Sequence, residues 1–196
     1  MEDPQCREFV ETEGLLCMII GENNRRVVVY PCVNNTLMNF LLIHPSEESR
    51  SKIAQEGWNQ QGNKERMLEI GSSFAPGVRA LLEKAPEEVL KLWTLLDMEV
   101  LPSWTNERLA LLGDAAHPFL PHLAQGGAQA MEDAVSLAAV LPLGTRSEDV
   151  PDRLKLYQKC RKTRADYIQE STRRSGMSIK ELKEMGLEYN RKSTIA

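Results

Sequence analysis

The sequence predicts an α/β protein in which an antiparallel sheet precedes helices and a strand–loop–helix unit. Three observations predict it. Short segments rich in Val, Ile, Leu and Tyr fill the first third of the chain. A loop rich in Gly and Pro at 113–127 separates a short apolar run from a helical pattern. The stretch Asp149–Ser175 carries apolar residues at helical spacing among many charges.

Composition narrows the class of protein. The 196 residues are 42% hydrophobic and 27% charged, which is typical of a globular rather than a disordered chain. The net charge of −4 gives no attraction to polyanions, so nucleic acid is not expected as a partner. The apolar run Leu15–Ile20 is far shorter than the ~20 residues of a membrane helix, so no membrane partner is expected either.

The compartment is predicted from the chain start and the cysteines. Residues 1–4 are acidic and lack the features of a secretory signal. The four cysteines are scattered, with no CxxC pair, and do not form the pattern of a disulfide framework or a zinc site. We therefore expect reduced thiols in a cytoplasmic protein.

The first third is predicted to form an antiparallel meander. Its strands are Leu15–Ile20, Arg26–Tyr30 and Thr36–Ile43, separated by Gly- and Asn-rich turns that tolerate positive φ. Pro31 is expected to mark a strand end or a bulge, because proline cannot donate to a sheet.

The middle of the chain is predicted to be mostly helical. Glu47–Glu56 is polar, as in an exposed helix or loop, and Lys64–Phe74 has a helical pattern. Pro76 suits the first turn of another helix. After the interruption at Pro86, helix is expected to continue over Val89–Trp93.

Two strands and two helices are predicted for the second half. The strands are Leu95–Leu101 and Glu107–Leu112. One helix begins at Gly126-Gly127 and ends near Pro142, with small and apolar residues at helical spacing. The other is a long amphipathic helix over Asp149–Ser175, with Leu154, Tyr157 and Tyr167 among the residues assigned to one face.

The Gly-Asp loop carries the clearest chemical signal. A strand that ends at Gly113-Asp114 places a carboxylate at the end of a sheet, where it can accept hydrogen bonds from sugar-alcohol hydroxyls. Gly126-Gly127 opens a helix whose free N–H groups favour negative charge and whose glycines let a flat ligand approach. A flavin needs both groups, because its reduced ring carries negative charge at one edge.

The sequence GDAAHPFLPHLAQGGAQAMEDA, residues 113–134, resembles the second FAD-binding motif of the aromatic-ring flavoprotein monooxygenases, of the salicylate hydroxylase and para-hydroxybenzoate hydroxylase type. Weaker resemblance covers Arg26–Pro31, Trp93–Trp104 and Asp152–Arg174. The resemblance implies an α+β substrate-domain sheet followed by the C-terminal half of a Rossmann-like FAD-binding domain. The implied parts are a partial substrate domain at 1–102, the FAD motif at 103–145, and C-terminal helices at 146–196.

The resemblance also implies a cofactor, FAD, and the residues that contact it. Asp114 would bind the ribityl or pyrophosphate region, the Gly126-Gly127 backbone would lie along the pyrimidine edge, and Pro118 would face the reactive side of the ring. The remaining implied FAD contacts are Gly113 and Ala128. No metal site is implied.

A catalytic role for Tyr30 is implied by the fungal phenol-hydroxylating members, in which a tyrosine of the substrate-domain sheet holds the phenolate. The corresponding reaction is hydroxylation of a small aromatic substrate with NAD(P)H and O2, in a secondary-metabolite pathway. The alternative assigns Tyr30 to an ordinary half-buried position on its strand.

The sequence departs from the family pattern because it contains no GxGxxG motif. The family's substrate-orienting arginine would also precede Met1. We therefore expect a truncated chain, covering about the C-terminal half, that works with a complementary N-terminal half. The alternative is a remnant or interaction module that binds no FAD alone.

Ordinary structural roles remain open for the other candidates. Asp114 could cap a turn. Metal binding by His117 and His122 is disfavoured, since their i, i+5 spacing separates them on a helix and no third ligand is near. Glu132 and Asp133 are expected in the first turn of a helix, where acids complement the dipole.

A basic run lies at 153–174 and includes Arg161, Lys162, Arg164, Arg173 and Arg174. Acidic residues are interspersed, and no aromatic stacking platform accompanies them. We interpret it as a solvated helix face rather than a site for RNA or anionic lipid.

Overall fold

The computed structural model describes residues 16–34, 36–49 and 59–186. The chain divides into two compact units, Met1–Thr94 and Leu95–Ala196. Each combines helix with sheet, which confirms the predicted mixed α/β class. The units are described separately below.

The sheet of the first unit is the predicted meander. Its strands are β1 (Cys17–Ile20), β2 (Arg26–Cys32) and β3 (Leu37–Ile43), antiparallel and adjacent in chain order. Residues with positive φ, among them Asn23 and Asn34, form the two turns, as the Asn-rich composition predicted.

Pro31 neither ends nor bulges the strand, so that expectation is wrong. β2 continues to Cys32, and Pro31 pairs with Met38 in an unbroken register with β3. Among the described residues, β1 pairs with Arg26–Val29 of β2 and not with Pro31. A proline is tolerated in a strand at a position whose N–H has no partner across the sheet.

Two helices pack beside this sheet, α1 (Lys64–Gly71) and α2 (Pro76–Glu83). The first is three residues shorter than predicted, and the second begins at its proline as predicted. A Cβ on Gly71 would lie 2.5 Å from Leu82 Cδ1, so glycine at this position leaves room for the Leu82 side chain of α2. The core that they share with the sheet consists of Val27, Val29, Phe74, Val78, Ala80, Leu81 and Leu82.

The segment around residue 90 is a strand rather than the predicted helix. After a 3₁₀ turn at Glu87–Val89, residues Lys91–Trp93 form β5, which pairs antiparallel with β4 (Asn59–Gln61). This partner is far away in sequence, so periodicity within Val89–Trp93 could not reveal it. In the predicted polar segment Glu47–Glu56, a 3₁₀ turn covers Ser46–Ser49; from residue 50 on, the segment lies outside the described residues.

The second unit has less strand than predicted. Leu95–Leu101 forms no strand, and of Glu107–Leu112 only β7 (Leu109–Ala110) pairs, with β6 (Thr105–Asn106). A strand needs a hydrogen-bonded neighbour, and the neighbour that β7 has in the described part of this unit, β6, is two residues long.

The α-helices in the described part of the second unit are α3 (Gly126–Val140), α4 (Val150–Gly176) and α5 (Ile179–Glu184). The predicted extents of α3 and α4 are confirmed. The apolar core of this unit consists of Trp104, Ala116, Val140, Tyr157 and Ala165. Tyr167, assigned to the buried face of α4, is 73% exposed, and that assignment is wrong.

Helix α3 buries two polar side chains in addition to Val140. Gln129 and Asp133 are fully buried, whereas Met131 and Val135 are about 70% exposed. Gln129 and Asp133 are four residues apart and so share one face of the helix. The face of α3 that packs into the second unit therefore carries polar side chains at positions 129 and 133 and the core residue Val140 near its end.

No helix in the described ranges is long and apolar enough to cross a membrane. The three cysteines in those ranges, Cys17, Cys32 and Cys160, are free thiols.

The fully buried Leu82 provides a test of the first unit's core. Leu82→Ala should lower the free energy of unfolding by about 2–5 kcal/mol, because it removes buried methyl groups and leaves a cavity. Leu37, on the same unit, is 59% exposed, and Leu37→Ala should change stability by no more than about 0.5 kcal/mol. Urea denaturation followed by circular dichroism measures both. Equal losses in the two variants would contradict this core.

Candidate functional site

The Gly-Asp motif forms a tight turn against α3. Gly113–Ala115 is a single 3₁₀ turn, and Gly113 has a φ of +57°. A Cβ on Gly113 would also lie 3.3 Å from the Cβ of Ala130 on α3. Backbone conformation and close packing therefore both favour glycine at this position. Its N–H donates to Asp133 and its carbonyl accepts from Ala116 and His117, so Gly113 shapes the turn rather than offering polar groups to a ligand.

Asp114, the next residue, is exposed. Within the described ranges, its carboxylate takes part in no hydrogen bond or ion pair. The alternative that Asp114 caps a turn is therefore not supported. Its two oxygens can accept hydrogen bonds from the hydroxyl groups of a ligand.

The start of α3 is open. The N–H groups of Gly126, Gly127 and Ala128 precede the first intrahelical bond, which runs from the Gln129 N–H to the Gln125 carbonyl. The Gln125 side chain does not cap them. These N–H groups and the helix dipole favour an anionic group at this end of α3.

Glycine at the start of α3 is not required by the packing of the chain itself. A Cβ on Gly127 would meet no atom within 4 Å, and one on Gly126 would meet only Phe119, at 3.9 Å. Neither residue has positive φ. Space left by missing side chains at an uncapped helix start is what a flat ligand needs to approach the backbone.

Helix α4 holds the proline-rich loop between the turn and α3. The Gln169 side chain donates to the carbonyl of Pro118 at 3.1 Å, and the Thr172 hydroxyl donates to the carbonyl of Leu120 at 2.6 Å. Tyr157, fully buried, donates to the carbonyl of Leu111 at 3.1 Å. Burial, and secondly the charge of Asp133, raise the pKa of the Tyr157 hydroxyl, which keeps this donor protonated.

Asp133, on α3, is fully buried. Its Oδ2 accepts from the Gly113 N–H at 2.9 Å and from His117 Nε2 at 2.7 Å. Its Oδ1 accepts from Arg161 Nε, on α4, at 2.9 Å. One carboxylate therefore connects the Gly-Asp turn, α3 and α4.

Arg161 is buried, so its assignment to a solvated helix face is wrong. Besides Asp133 it contacts Glu132, and its Nη2 donates to Gln129 Oε1 at 2.7 Å. Arg161 is buried because its charge compensates for that of the buried Asp133 carboxylate. It also lies four residues from both Tyr157 and Ala165, so it is on the buried face of α4. That spacing is the one sequence signal that separates Arg161 from the rest of the basic run.

Glu132 and Asp133 are not in the first turn of α3, contrary to expectation, because the helix begins at Gly126. Their partners are side chains rather than the helix dipole. Hydrogen bonds from Arg164, and then from Arg161, lower the pKa of Glu132 to about 2.

Two further candidates from the sequence, Tyr30 and His122, lie outside the Gly-Asp turn and the start of α3. Tyr30 lies on β2 in the first unit, half-buried. His122 is buried, and a Cβ on Gly176 would lie 2.7 Å from its ring. In the described ranges, no group of three or more His, Cys, Asp or Glu side chains could hold a metal ion.

A family model, curated sequences and solved structures were compared with this chain, and the matches in all three are to FAD-binding or hydroxylase proteins. A family model described as FAD binding domain matches residues 1–172. The FAD-dependent monooxygenase cfoG of Aspergillus candidus is 38% identical over 170 residues, which cover 85% of this chain and 38% of the relative. Hispidin-3-hydroxylase of Neonothopanus nambi is 35% identical over 146 residues, covering 74% of this chain and 33% of the relative.

A solved salicylate hydroxylase in a substrate complex matches with a TM-score of 0.67 at 27% identity. The match covers 83% of this chain and 39% of the hydroxylase. The chain therefore spans less than two fifths of the length of each of these three proteins.

The ion pairs of Glu132 predict a pH dependence of stability. Since its pKa is about 2 when folded and near the ordinary 4.5 when unfolded, its contribution is present above pH ~4.5 and is lost as the pH falls towards 2. The side chain is about one-third exposed, so solvent weakens the effect. Glu132→Gln should lower the urea midpoint at pH 6, and the difference from the unsubstituted chain should close towards pH 2.

Urea titrations of both chains between pH 6 and pH 2 measure this difference. Asp152→Asn removes an exposed carboxylate of α4 and serves as the control. A difference between the Glu132→Gln and unsubstituted chains that stays constant with pH would contradict the assignment.

Proposed function

The chain belongs to the family of FAD binding domains, and on that premise we propose that it supplies the flavin end of the FAD site in a monooxygenase. The substrate class we propose is a small aromatic or phenolic compound. The observation that carries the proposal is the pairing of an unengaged, exposed Asp114 with the open, glycine-lined start of α3. The turn that bears Asp114 packs directly against α3.

The donor set fits a flavin and its sugar alcohol. Asp114 can accept hydrogen bonds from ribityl hydroxyls. The free N–H groups of Gly126, Gly127 and Ala128 can stabilise negative charge on the pyrimidine edge of the ring. Pro118, partly exposed with its carbonyl held by Gln169, can border the reactive face of the ring. FAD, when bound, supplies the redox chemistry that these side chains lack.

The proposed reaction inserts one atom of O2 into an aromatic C–H bond. The second oxygen atom leaves as water. NAD(P)H supplies two electrons as a hydride, and solvent supplies one proton. The names of the relatives, FAD-dependent monooxygenase and hydroxylase, support this reaction class. Tyr30 is proposed to hold the phenolate of the substrate through its hydroxyl group.

The biological setting is proposed on the same basis. We propose a role in secondary metabolism because the sequence resembles the fungal phenol-hydroxylating members of the family. The scattered free cysteines support a reducing compartment such as the cytoplasm. The chain contains no GxGxxG, so we propose that a complementary polypeptide segment binds the adenosine end of FAD.

FAD binding by the purified chain tests the proposal. The chain should bind FAD and absorb near ~450 nm, as bound flavin does. Asp114→Ala should weaken binding by about 1.5–3 kcal/mol, the range for a hydrogen bond to a charged group. Asp152→Ala removes an exposed carboxylate on α4 and should leave the dissociation constant unchanged. A chain that binds no FAD at saturating concentration would contradict the proposal for this chain and favour the remnant alternative, which binds no FAD alone.

Gly127→Ala separates binding of a ligand from folding. Because the added Cβ meets no protein atom, the variant should be as stable as the unsubstituted chain or up to about 1 kcal/mol more stable. FAD affinity should nevertheless fall by about tenfold, since the methyl group occupies the space of the ring. Thermal unfolding without FAD and fluorescence titration with FAD measure the two effects. Unchanged affinity would remove the start of α3 from the proposed site.

A further inference from the structure

We propose that Asp133 is a positioning residue of the FAD site: its buried carboxylate fixes the turn that presents Asp114 relative to the start of α3. The inference rests on the proposed function, because it assigns a role in binding the same cofactor. Asp133 itself is fully buried, so it acts through the turn.

The geometry gives Asp133 control of the turn at two points. Its Oδ2 accepts from the backbone N–H of Gly113, the residue directly before Asp114. The same oxygen accepts from His117, three residues after Asp114. Asp114 therefore lies between two anchors on one carboxylate oxygen, and that carboxylate is part of α3.

Arg161 fixes the carboxylate in turn. Its Nε donates to Oδ1, so the two oxygens of Asp133 face different elements, Oδ2 the loop and Oδ1 helix α4. Three N–H donors converge on this group, and the two oxygens of a carboxylate have the lone pairs to accept from all of them. An asparagine would direct its own NH2 group at one of these donors.

His117 contributes through a hydrogen bond as well as through packing. Its ring centroid lies 4.8 Å from that of Trp104 and 5.0 Å from that of Phe119. Its Nε2 contacts Asp133, whereas its buried Nδ1 has no hydrogen-bond partner among the described residues. Among the described residues, the hydrogen bond of the His117 side chain is therefore the one to Asp133.

The first test compares Asp133→Asn with Glu132→Gln. Glu132 shares Arg161 with Asp133 and neighbours it on α3, but it makes no bond to Gly113 or His117. In Asp133→Asn, amide hydrogen exchange at Gly113 should accelerate at least about tenfold and FAD affinity should fall by about tenfold or more. Glu132→Gln should change both by less than about threefold, within the range of an exposed ion pair.

The second test distinguishes hydrogen bonding from packing at His117. Gln places an NH2 group close to the position of Nε2, whereas Phe keeps the ring contacts with Trp104 and Phe119 and removes the donor. If positioning acts through the hydrogen bond, His117→Gln retains Gly113 protection and FAD affinity better than His117→Phe. The reverse order would assign His117 a packing role and overturn the proposal. This pair keeps the proposal testable where Asp133→Asn does not fold.

The two readouts separate this inference from the proposed function. If the unsubstituted chain binds no FAD, the proposed function fails, while exchange at Gly113 still reports whether Asp133 holds the turn. If the unsubstituted chain binds FAD and folded Asp133→Asn binds it within about threefold as well, the positioning role fails and the proposed function stands.

Discussion

The second unit depends on the buried ion pair between Asp133 and Arg161. A carboxylate without solvent exposure is tolerated only when cations and N–H donors compensate for lost hydration. Arg161 supplies the charge, and Gly113 and His117 supply the further donors. Removing one member of such a pair typically costs about 3–5 kcal/mol, because the other charge remains buried. The need to compensate the buried charge of Asp133 therefore accounts for the polar contacts among the turn, α3 and α4.

Helix α4 extends the same principle along the loop. A segment with two prolines cannot form a helix or a regular sheet, so its carbonyl groups need partners from elsewhere. Side chains of α4 donate to two of them, Gln169 to Pro118 and Thr172 to Leu120, and Tyr157 donates to Leu111 just before the loop. The long helix is thus a row of hydrogen-bond donors as well as an apolar surface.

The two aspartates of the motif illustrate how structural and ligand-binding groups differ. Asp133 is buried with every oxygen engaged, which suits a group that maintains the fold. Asp114 is exposed, and its carboxylate makes no hydrogen bond or ion pair within the described ranges, as expected of a group that binds a ligand. Both residues carry the same carboxylate, and their surroundings in the structure distinguish the two roles.

Local patterns in the sequence determined the β1–β3 meander, helices α2, α3 and α4, and the Gly-Asp loop, because periodicity and turn residues act over a few neighbouring positions. The resemblance in residues 113–134 indicated the family in the same local way. Tertiary structure alone decided that Lys91–Trp93 is a strand, since its partner lies some thirty residues earlier. It also decided that Arg161 is buried while the other members of the basic run are at least partly exposed. Burial of a charge depends on which carboxylate another segment brings to it, and no single stretch of sequence contains that information.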